Sequence, residues 1–257
     1  IHRDINKMFH YLTLSADKNN EIGAQYVLGI IYSTGQIIAP NINKAIHYLT
    51  LAANQNFRQA QATLGDIYYE GKYNIPKDIN KAIYYLTLAA NQNDADSQFS
   101  LGIFYIYDCV PNDINKGIYY LTLSADNNFS RAQFNLGLLY DNDEYLQHDM
   151  KKAIHYYTLA ANKNNVMAQV NLGNIYFYAK NVPRDMKKAI FYLTLASNQD
   201  EPKAHFLLGE IFFFGKYVPQ DIKKGIHYYT LAADHGDGRA QYVVGLYYLN
   251  IINNSPP

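Results

Sequence analysis

The chain has 257 residues, of which 49% are hydrophobic, and its 22 acidic side chains balance its 22 basic ones. This balance disfavours a nucleic-acid-binding protein, which normally carries a basic excess on at least one face. No apolar run approaches the roughly 18–20 residues that cross a bilayer, so we expect no membrane insertion. The single cysteine, Cys109, has no partner for an internal disulfide, which is typical of a reducing compartment and leads us to expect a cytoplasmic protein.

Residues 1–21 predict one helix, and a two-helix unit of about 36 residues then follows six times. The predicted units are residues 22–57, 58–94, 95–129, 130–165, 166–201 and 202–237. Residues 238–250 repeat only the first helix of a unit, and residues 251–257 predict a disordered tail. Because no linker or change of composition interrupts the series, we expect residues 1–250 to form a single domain.

The first helix of each unit carries a glycine at a nearly constant interval. These glycines are Gly29, Gly65, Gly102, Gly137, Gly173, Gly209 and Gly245. A small residue lies five positions before each glycine, a leucine or valine directly before it, and an aromatic residue three positions after it. All of these positions fall on one stripe of an α-helix. Because glycine costs about 1 kcal/mol relative to alanine inside a helix, its recurrence indicates close approach of a neighbouring helix.

The second helix of each unit begins after a favourable N-cap residue and continues as Lys-Ala-Ile-x-Tyr-Leu-Thr-Leu-Ala-Ala with small variations. The predicted N-caps are Asp4, Asn41, Asp78, Asp113, Asp149, Asp185 and Asp221. Within the helix Ala82, Tyr85, Leu86 and Ala89 share one stripe, which predicts the buried face. A left-handed residue is predicted after each second helix, at Asn19, Asn56, Asn93, Asn128, Asn164, Asp200 and Gly236. Helix pairs that contact only their neighbours stack into a solenoid.

The combined pattern, Ala-x-x-x-Leu-Gly-x-x-Tyr followed by Asp-x-x-Lys-Ala-x-x-Tyr and Ala-Ala, resembles the Sel-1-like repeat, a relative of the tetratricopeptide repeat. The resemblance covers nearly the whole chain. It implies an all-α fold, a right-handed α-solenoid of stacked antiparallel helix pairs with a half repeat at each end, that serves as an adaptor or scaffold for protein complexes. The glycine that usually ends the first helix is replaced by Asp108, Asp143 and Ala179 in the middle units, which leaves the shape of those loops open.

The sequence contains no nucleophile elbow, Gly-rich phosphate loop or HExxH motif. His10, His47, His155 and His227 share one column of the second helices. Neighbouring helices pack about 8–10 Å apart, however, so equivalent positions of stacked units do not converge on one metal ion. We therefore interpret the histidines as a surface column and expect no catalytic activity, metal or cofactor.

The functional prediction comes from the positions at which the units differ. Positions −6, −2, +1 and +5 relative to the glycine form a stripe on the first helix that avoids the packing columns. In related solenoids the first helices line the concave face, so this stripe is a candidate groove for a protein or peptide partner. The candidate residues are Asp66, Glu70, Tyr107, Asn135, Asn171, Asn174, Tyr178, Glu210 and Phe214. The alternative interpretation is a solvated or neighbour-packed face whose residues have drifted.

These observations predict a non-catalytic scaffold that binds another protein through the first helices. A regulatory or substrate-recruiting arm of a larger enzyme, such as a protein kinase or a ubiquitin-ligase complex, is the competing hypothesis. Self-association through the uncapped ends of the solenoid is a third.

Overall fold

The computed structural model describes residues 4–71, 75–108, 113–142 and 146–254, and all regular secondary structure within these ranges is helical. The prediction of an all-α fold is therefore confirmed. Cys109 and Asp143 lie outside the described residues. By their contacts the helices form two compact units, Ile1–Phe129 and Ser130–Pro257. The continuity of residues 1–250 as one solenoid stays a prediction.

The first compact unit contains one single helix followed by three helix pairs. Its helices are α1 (Ile5–Lys18), α2 (Ile22–Thr34), α3 (Ile42–Asn54), α4 (Arg58–Glu70), α5 (Ile79–Ala90), α6 (Ala95–Ile103) and α7 (Ile114–Asp126). A π-helical turn, Phe104–Asp108, extends α6. Even-numbered helices are the first helices of the pairs, and each packs more extensively on the helix that follows it than on the one before it.

The second compact unit contains three helix pairs followed by one single helix. Its helices are α8 (Ser130–Asp141), α9 (Met150–Ala161), α10 (Val166–Tyr178), α11 (Met186–Ser197), α12 (Pro202–Phe214), α13 (Ile222–Asp234) and α14 (Gly238–Asn254). The same packing order holds in this unit, so the predicted antiparallel helix pairs are confirmed in both units.

The last helix is longer than the sequence pattern predicted. We expected residues 251–257 to be a disordered tail, but α14 continues to Asn254. The prediction is therefore wrong for residues 251–254. The helix continues because Ile251 and Ile252 follow Asn250 without a helix-breaking residue, and the first proline comes only at Pro256.

The predicted N-caps of the second helices are confirmed. In each of them the side-chain oxygen of the cap accepts a hydrogen bond from the backbone N–H three residues later, at 2.9–3.1 Å. Each of these bonds satisfies a donor that the helix itself leaves unpaired. In the six helix pairs the backbone N–H of the cap also donates to the carbonyl of the aromatic residue that lies three positions after the glycine of the first helix, as Asn41 does to Tyr32 at 2.8 Å. The cap thereby fixes the loop within each pair.

The glycine column lies where the two helices of a pair touch, as predicted. A Cβ atom placed on Gly173 would lie 2.5 Å from Cγ of Leu193, which is fully buried. The equivalent glycines in the other five pairs leave 2.5–2.7 Å to a leucine or tyrosine of the following helix. Because real Cβ contacts are longer than this, an alanine at these positions would push the helices apart. The glycines therefore set the distance between the paired helices.

Each pair also contains a stack of aromatic rings covered by a lysine. Tyr32 of α2 stacks on Tyr48 of α3 with ring centres 6.0 Å apart and an interplanar angle of 2°. The column lysine covers the ring of the first helix, with its Nζ atom 4.0–5.2 Å from the ring centre. These lysines are Lys44, Lys81, Lys116, Lys152, Lys188 and Lys224. The stacks add offset aromatic packing and a cation–π contact to each pair.

The left-handed column after the second helices is confirmed at every predicted position except the first. Asn19 is right-handed, with φ −99°, and its neighbour Asn20 has φ 53°. Both residues are asparagine, so the side chain does not identify which one adopts the left-handed conformation. The left-handed residue lies two positions before the next helix at Asn20, as it does at Asn56. The distance to the next helix therefore places it.

Ala179 keeps the left-handed conformation of the glycine that it replaces, with φ 58° at the end of α10. This conformation costs a non-glycine residue about 1–2 kcal/mol, whereas glycine loses about 0.5–1 kcal/mol more backbone entropy on folding. We expect Ala179→Gly to raise the free energy of unfolding by about 0.5–1 kcal/mol, measured by urea denaturation with an unchanged m value. In the matched control Gly35→Ala, at φ 67°, stability should fall. Lower stability of Ala179→Gly would contradict this assignment.

Candidate partner-binding surface

Three of the predicted residues form one exposed patch in the second compact unit. Tyr178 at the end of α10 donates a hydrogen bond from its hydroxyl to Oε2 of Glu210 on α12, at 3.2 Å. Phe214 lies one turn after Glu210 on the same helix. Tyr178 and Phe214 expose 55% and 60% of their surface. We call Tyr178, Glu210 and Phe214 the aromatic patch.

The hydroxyl of Tyr178 stays a donor at neutral pH. Partial burial, together with the adjoining carboxylate of Glu210, raises the pKa of Tyr178 above its ordinary value. The protonated hydroxyl therefore continues to hold Glu210, and the hydrogen bond joins two successive first helices across the surface.

A small cavity of about 120 Å³ lies beside the aromatic patch. Its apolar wall consists of Phe177, Met186, Ile211 and Phe214, and Glu210, Lys216 and Tyr217 complete its lining. The guanidinium of Arg184 stacks on the ring of Tyr217, 3.7 Å from its centre. Hydrogen bonding to Lys216, together with the charge of Arg184, lowers the pKa of Tyr217. The cavity thus combines an apolar wall with a cationic edge.

The loop residues at this cavity are absent from the predicted set. Arg184, Lys216 and Tyr217 lie between the helices of their pairs, whereas the predicted set contains only positions of the first helices. A signal was present, because Tyr217 is an aromatic residue in a loop and directly follows Gly215 and Lys216.

Two of the three predicted asparagines make hydrogen bonds within the chain. Nδ2 of Asn135 donates to the carbonyl of Arg131 in its own helix, at 2.8 Å. Asn171 is hydrogen-bonded to Tyr157, a buried tyrosine whose hydroxyl also reaches Asp141 at 3.4 Å. Burial raises the pKa of Tyr157. Asn174 is half-buried. Substituting Asn135 or Asn171 would therefore change intramolecular hydrogen bonds as well as the surface.

The predicted residues of the first compact unit form a more acidic surface. Asp66 and Glu70 are exposed one helical turn apart on α4. Tyr107 exposes 50% of its surface in the π-helical turn. Nearby, Tyr69 donates its hydroxyl to Asp108 at 3.1 Å. These residues are exposed on the first helices, as predicted, and their role in binding stays a prediction.

The structure shows a second repeated polar feature that the sequence interpretation missed. A glutamine directly follows the small residue of most first helices, and its Nε2 donates to a carbonyl at the end of the preceding second helix. The bonded pairs are Gln25–Ala16, Gln61–Ala53, Gln98–Ala90, Gln169–Ala161 and Gln241–Ala233, at 3.1–3.3 Å. His205 occupies the same column, with Nε2 3.1 Å from the carbonyl of Ser197. We call these residues the glutamine column.

The glutamine column joins each first helix to the preceding second helix through these carbonyls, and its side chains also accept hydrogen bonds from the end of the second helix of their own pair. The amide of Gln199 donates to Oε1 of Gln169 at 2.9 Å. In the first compact unit, Gln55 donates in the same way to Gln25 at 2.8 Å, and Gln92 to Gln61 at 2.6 Å. Gln169 is fully buried, and its hydrogen bond to the carbonyl of Ala161 forms away from water. The column therefore has a structural role.

The histidine column of the second helices is exposed, as interpreted from the sequence. His47 lies edge-on to Tyr48, and His155 to Tyr156, with ring centres 5.1 and 5.2 Å apart. Within the described ranges no group of three or more His, Cys, Asp or Glu residues is arranged to hold a metal ion. Nor does any described helix combine the length and hydropathy needed to cross a bilayer.

Comparison with known proteins gives one sequence family. A profile of the Sel1 repeat matches residues 22–57, 58–94, 95–129, 130–165, 166–201 and 202–237. None of the curated proteins compared with the chain matches it.

Two solved structures are similar to the chain. A Sel1 repeat protein from Oxalobacter formigenes is 28% identical, with a TM-score of 0.79, over 96% of this chain and 71% of the other. A protective antigen of uropathogenic Escherichia coli strains, which displays an SLR fold, is 22% identical, with a TM-score of 0.86, over 96% of this chain and 52% of the other. The chain thus spans about half the length of the Escherichia coli protein, and that likeness concerns the fold.

Proposed function

The chain belongs to the Sel1 repeat family, and from this premise we propose that it is a non-catalytic scaffold that binds a protein or peptide through the exposed face of its first helices. Sel1 repeat proteins are generally protein-interaction scaffolds. The regularity of the chain agrees with such a role, because the residues that recur in every pair are used for packing. The residues that vary between pairs are therefore available to recognise a partner.

The observation that carries the proposal is the aromatic patch beside the cavity of the second compact unit. Exposed aromatic residues supply large contact area with few rotatable bonds, and they are enriched among the residues that dominate binding energy. Phe214 borders a cavity of about 120 Å³, which offers space for an apolar side chain of a partner. Glu210 and Lys216 at its edge supply polar groups that fix orientation.

The second helices provide an internal contrast. Tyr119 and Phe191 expose 58% and 57% of their surface, as much as the aromatic patch does. Each lies edge-on to the following tyrosine of its own helix, with ring centres 5.3 and 5.1 Å apart. We propose that the first helices bind the partner and that this second-helix column does not.

The proposal predicts that Tyr178→Ala combined with Phe214→Ala weakens partner binding. Peptides are selected on the wild-type chain from a random phage-displayed library, and their dissociation constants are then measured for each variant. We expect the double variant to bind about 30-fold more weakly or worse, as for loss of a hot spot. The matched control, Tyr119→Ala with Phe191→Ala, should bind as the wild type does.

Both double variants remove exposed side chains, so their unfolding midpoints should stay close to that of the wild type. Wild-type affinity of the patch variant, or equal losses in the two variants, would contradict the proposal. A regulatory or substrate-recruiting arm of a larger enzyme would bind its target through the same surface. The experiment therefore tests the surface under either description.

A further inference from the structure

Arg184 is held in one position at the edge of the cavity beside the aromatic patch. Its Nε atom donates a hydrogen bond to the carbonyl of Phe177 at 2.8 Å, and its guanidinium stacks on the ring of Tyr217, 3.7 Å from the ring centre. The hydrogen bond uses only one of the N–H donors of the guanidinium, and the stacking fixes its plane. The exposed side chain therefore presents a positioned, planar cation, which matches the geometry of a carboxylate.

The positive charge at this edge is not neutralised by the carboxylates beside it. Among the described residues, Arg184 and Lys216 form no ion pair. Asp185, which follows Arg184, is engaged as the N-cap of α11. Glu210 accepts the hydrogen bond of the patch tyrosine. Hydrogen bonding to Lys216 and the charge of Arg184 lower the pKa of Tyr217, as expected where positive charge is uncompensated.

The next helix pair shows that the hydrogen bond of Arg184 does not require a charge. Arg184 lies directly before the N-cap of its second helix, and Gln220 occupies that position in the next pair. Nε2 of Gln220 donates to the carbonyl of Phe213 at 2.8 Å, as Nε of Arg184 does to Phe177. An uncharged amide is therefore sufficient for this bond, and the charge of Arg184 remains available for recognition.

We propose that the partner of this surface is a peptide that places an apolar side chain in the cavity and an acidic side chain against Arg184 and Lys216. The chemistry of this partner rests on the proposed function, because it specifies what the same surface binds. The apolar wall of the cavity, which includes Phe177 and Phe214, receives the first side chain. The uncompensated cations provide charge complementarity for the second.

The position of Tyr217 sets the spacing of the two side chains. Its ring lines the cavity and also carries the guanidinium of Arg184. Since an extended peptide advances about 3.3 Å per residue, we expect the acidic residue within about two positions of the apolar one. Glu210 is held toward Tyr178 at 3.2 Å, and its negative charge disfavours the acidic residue on that side of the cavity. The peptide therefore has one preferred direction.

The sequences of random phage-displayed peptides selected on the wild-type chain give the first test. They should share an apolar residue with Asp or Glu within about two positions, more often than the unselected library does. Peptides that depend on Tyr178 and Phe214 but show no acidic enrichment would overturn this partner chemistry and leave the proposed function standing. Peptides that bind without either residue would contradict the proposed function and the partner chemistry with it.

Arg184→Gln combined with Lys216→Gln removes the charges and should weaken binding of a selected peptide about 10-fold. The peptide is synthesised with an amidated C-terminus, so that only its side chains carry carboxylates. The variant should keep the unfolding midpoint of the wild type, because glutamine makes the same hydrogen bond at Gln220. Lys203→Gln is the matched control, because Lys203 is exposed at the opposite end of α12 from the cavity. An equal loss in the control would overturn the proposal.

A double-mutant cycle separates the charge contact from any shift of Tyr217 in the variant. The second peptide carries Gln or Asn in place of its acidic residue. It should bind the wild-type chain about 10-fold more weakly than the acidic peptide does, whereas the double variant should bind both peptides equally. Raising the salt concentration from about 50 to 500 mM should weaken only the complex of the wild-type chain with the acidic peptide. Additive losses in the cycle would overturn the proposal.

Discussion

Replacing Gly173 by alanine is expected to lower the free energy of unfolding by about 2 kcal/mol, although alanine is the better helix former. The added Cβ atom would lie 2.5 Å from Cγ and 2.6 Å from Cδ2 of Leu193. Leu193 is fully buried in the core shared by α10, α11 and α12, so it has little space in which to move. The strain therefore exceeds the gain of about 1 kcal/mol in helix propensity. Urea denaturation of both proteins measures the difference.

The same substitution at Gly245 is the matched control and should have the opposite sign. Gly245 occupies the same column, but a Cβ atom there meets nothing within 4 Å. We expect Gly245→Ala to raise the free energy of unfolding by up to about 1 kcal/mol, the difference in helix propensity. Stabilisation by alanine at both positions would show that close packing does not explain the glycine column.

Replacing Gln169 by leucine is expected to lower the free energy of unfolding by about 2 kcal/mol. The substitution removes two hydrogen bonds of this fully buried side chain, each contributing about 1 kcal/mol. One runs from Nε2 to the carbonyl of Ala161, and the other from the amide of Gln199 to Oε1. Leucine has a similar size, so the loss reports on hydrogen bonding rather than on a cavity. Thermal and urea denaturation of the variant measure the effect.

Two further variants separate the hydrogen bonds from the change of side chain. Gln241 makes the equivalent bond to Ala233 but is exposed, so Gln241→Leu should lose less than about 0.5 kcal/mol. Gln169→His should recover part of the loss, because His205 approaches the Ser197 carbonyl from the same column. Equal losses for Gln169→Leu and Gln241→Leu would contradict a buried structural role for the column.

The sequence was sufficient to predict the features that recur at the helical period. The glycine position of Gly173 and the N-cap position of Asp185 recur in every unit. Each acts within one helix pair, where the distance along the chain is short. Their roles follow from local geometry. The left-handed turn after α1 was placed one residue early because Asn19 and Asn20 are chemically identical.

The glutamine column was missed although it also recurs. A polar residue at a regular position normally indicates a solvated face, and the carbonyl that buries Gln169 belongs to the preceding pair. The contact between Tyr178 and Glu210 likewise depends on how successive pairs align, which the pattern of one pair does not specify. Packing between pairs therefore determines both the missed column and the candidate site.

Residues that recur and residues that vary have different uses in this protein. The glycines and N-caps fix the two helices of each pair against each other, as the contact of Gly173 shows. The glutamine column fixes each pair against the preceding one, as the contact of Gln169 shows. That framework leaves the aromatic patch exposed beside a cavity. Substitutions in the framework should change stability, whereas substitutions in the patch should change binding.

Hydroxyl-radical footprinting of the chain, free and bound to a selected peptide, tests this division most directly. Oxidation of each aromatic side chain reports its accessibility to solvent, and all of the compared residues expose more than half of their surface. We predict that binding protects Tyr178 and Phe214 while Tyr119 and Phe191 are oxidised as before. Protection of Tyr119 or Phe191, with Tyr178 and Phe214 unchanged, would contradict binding through the first helices.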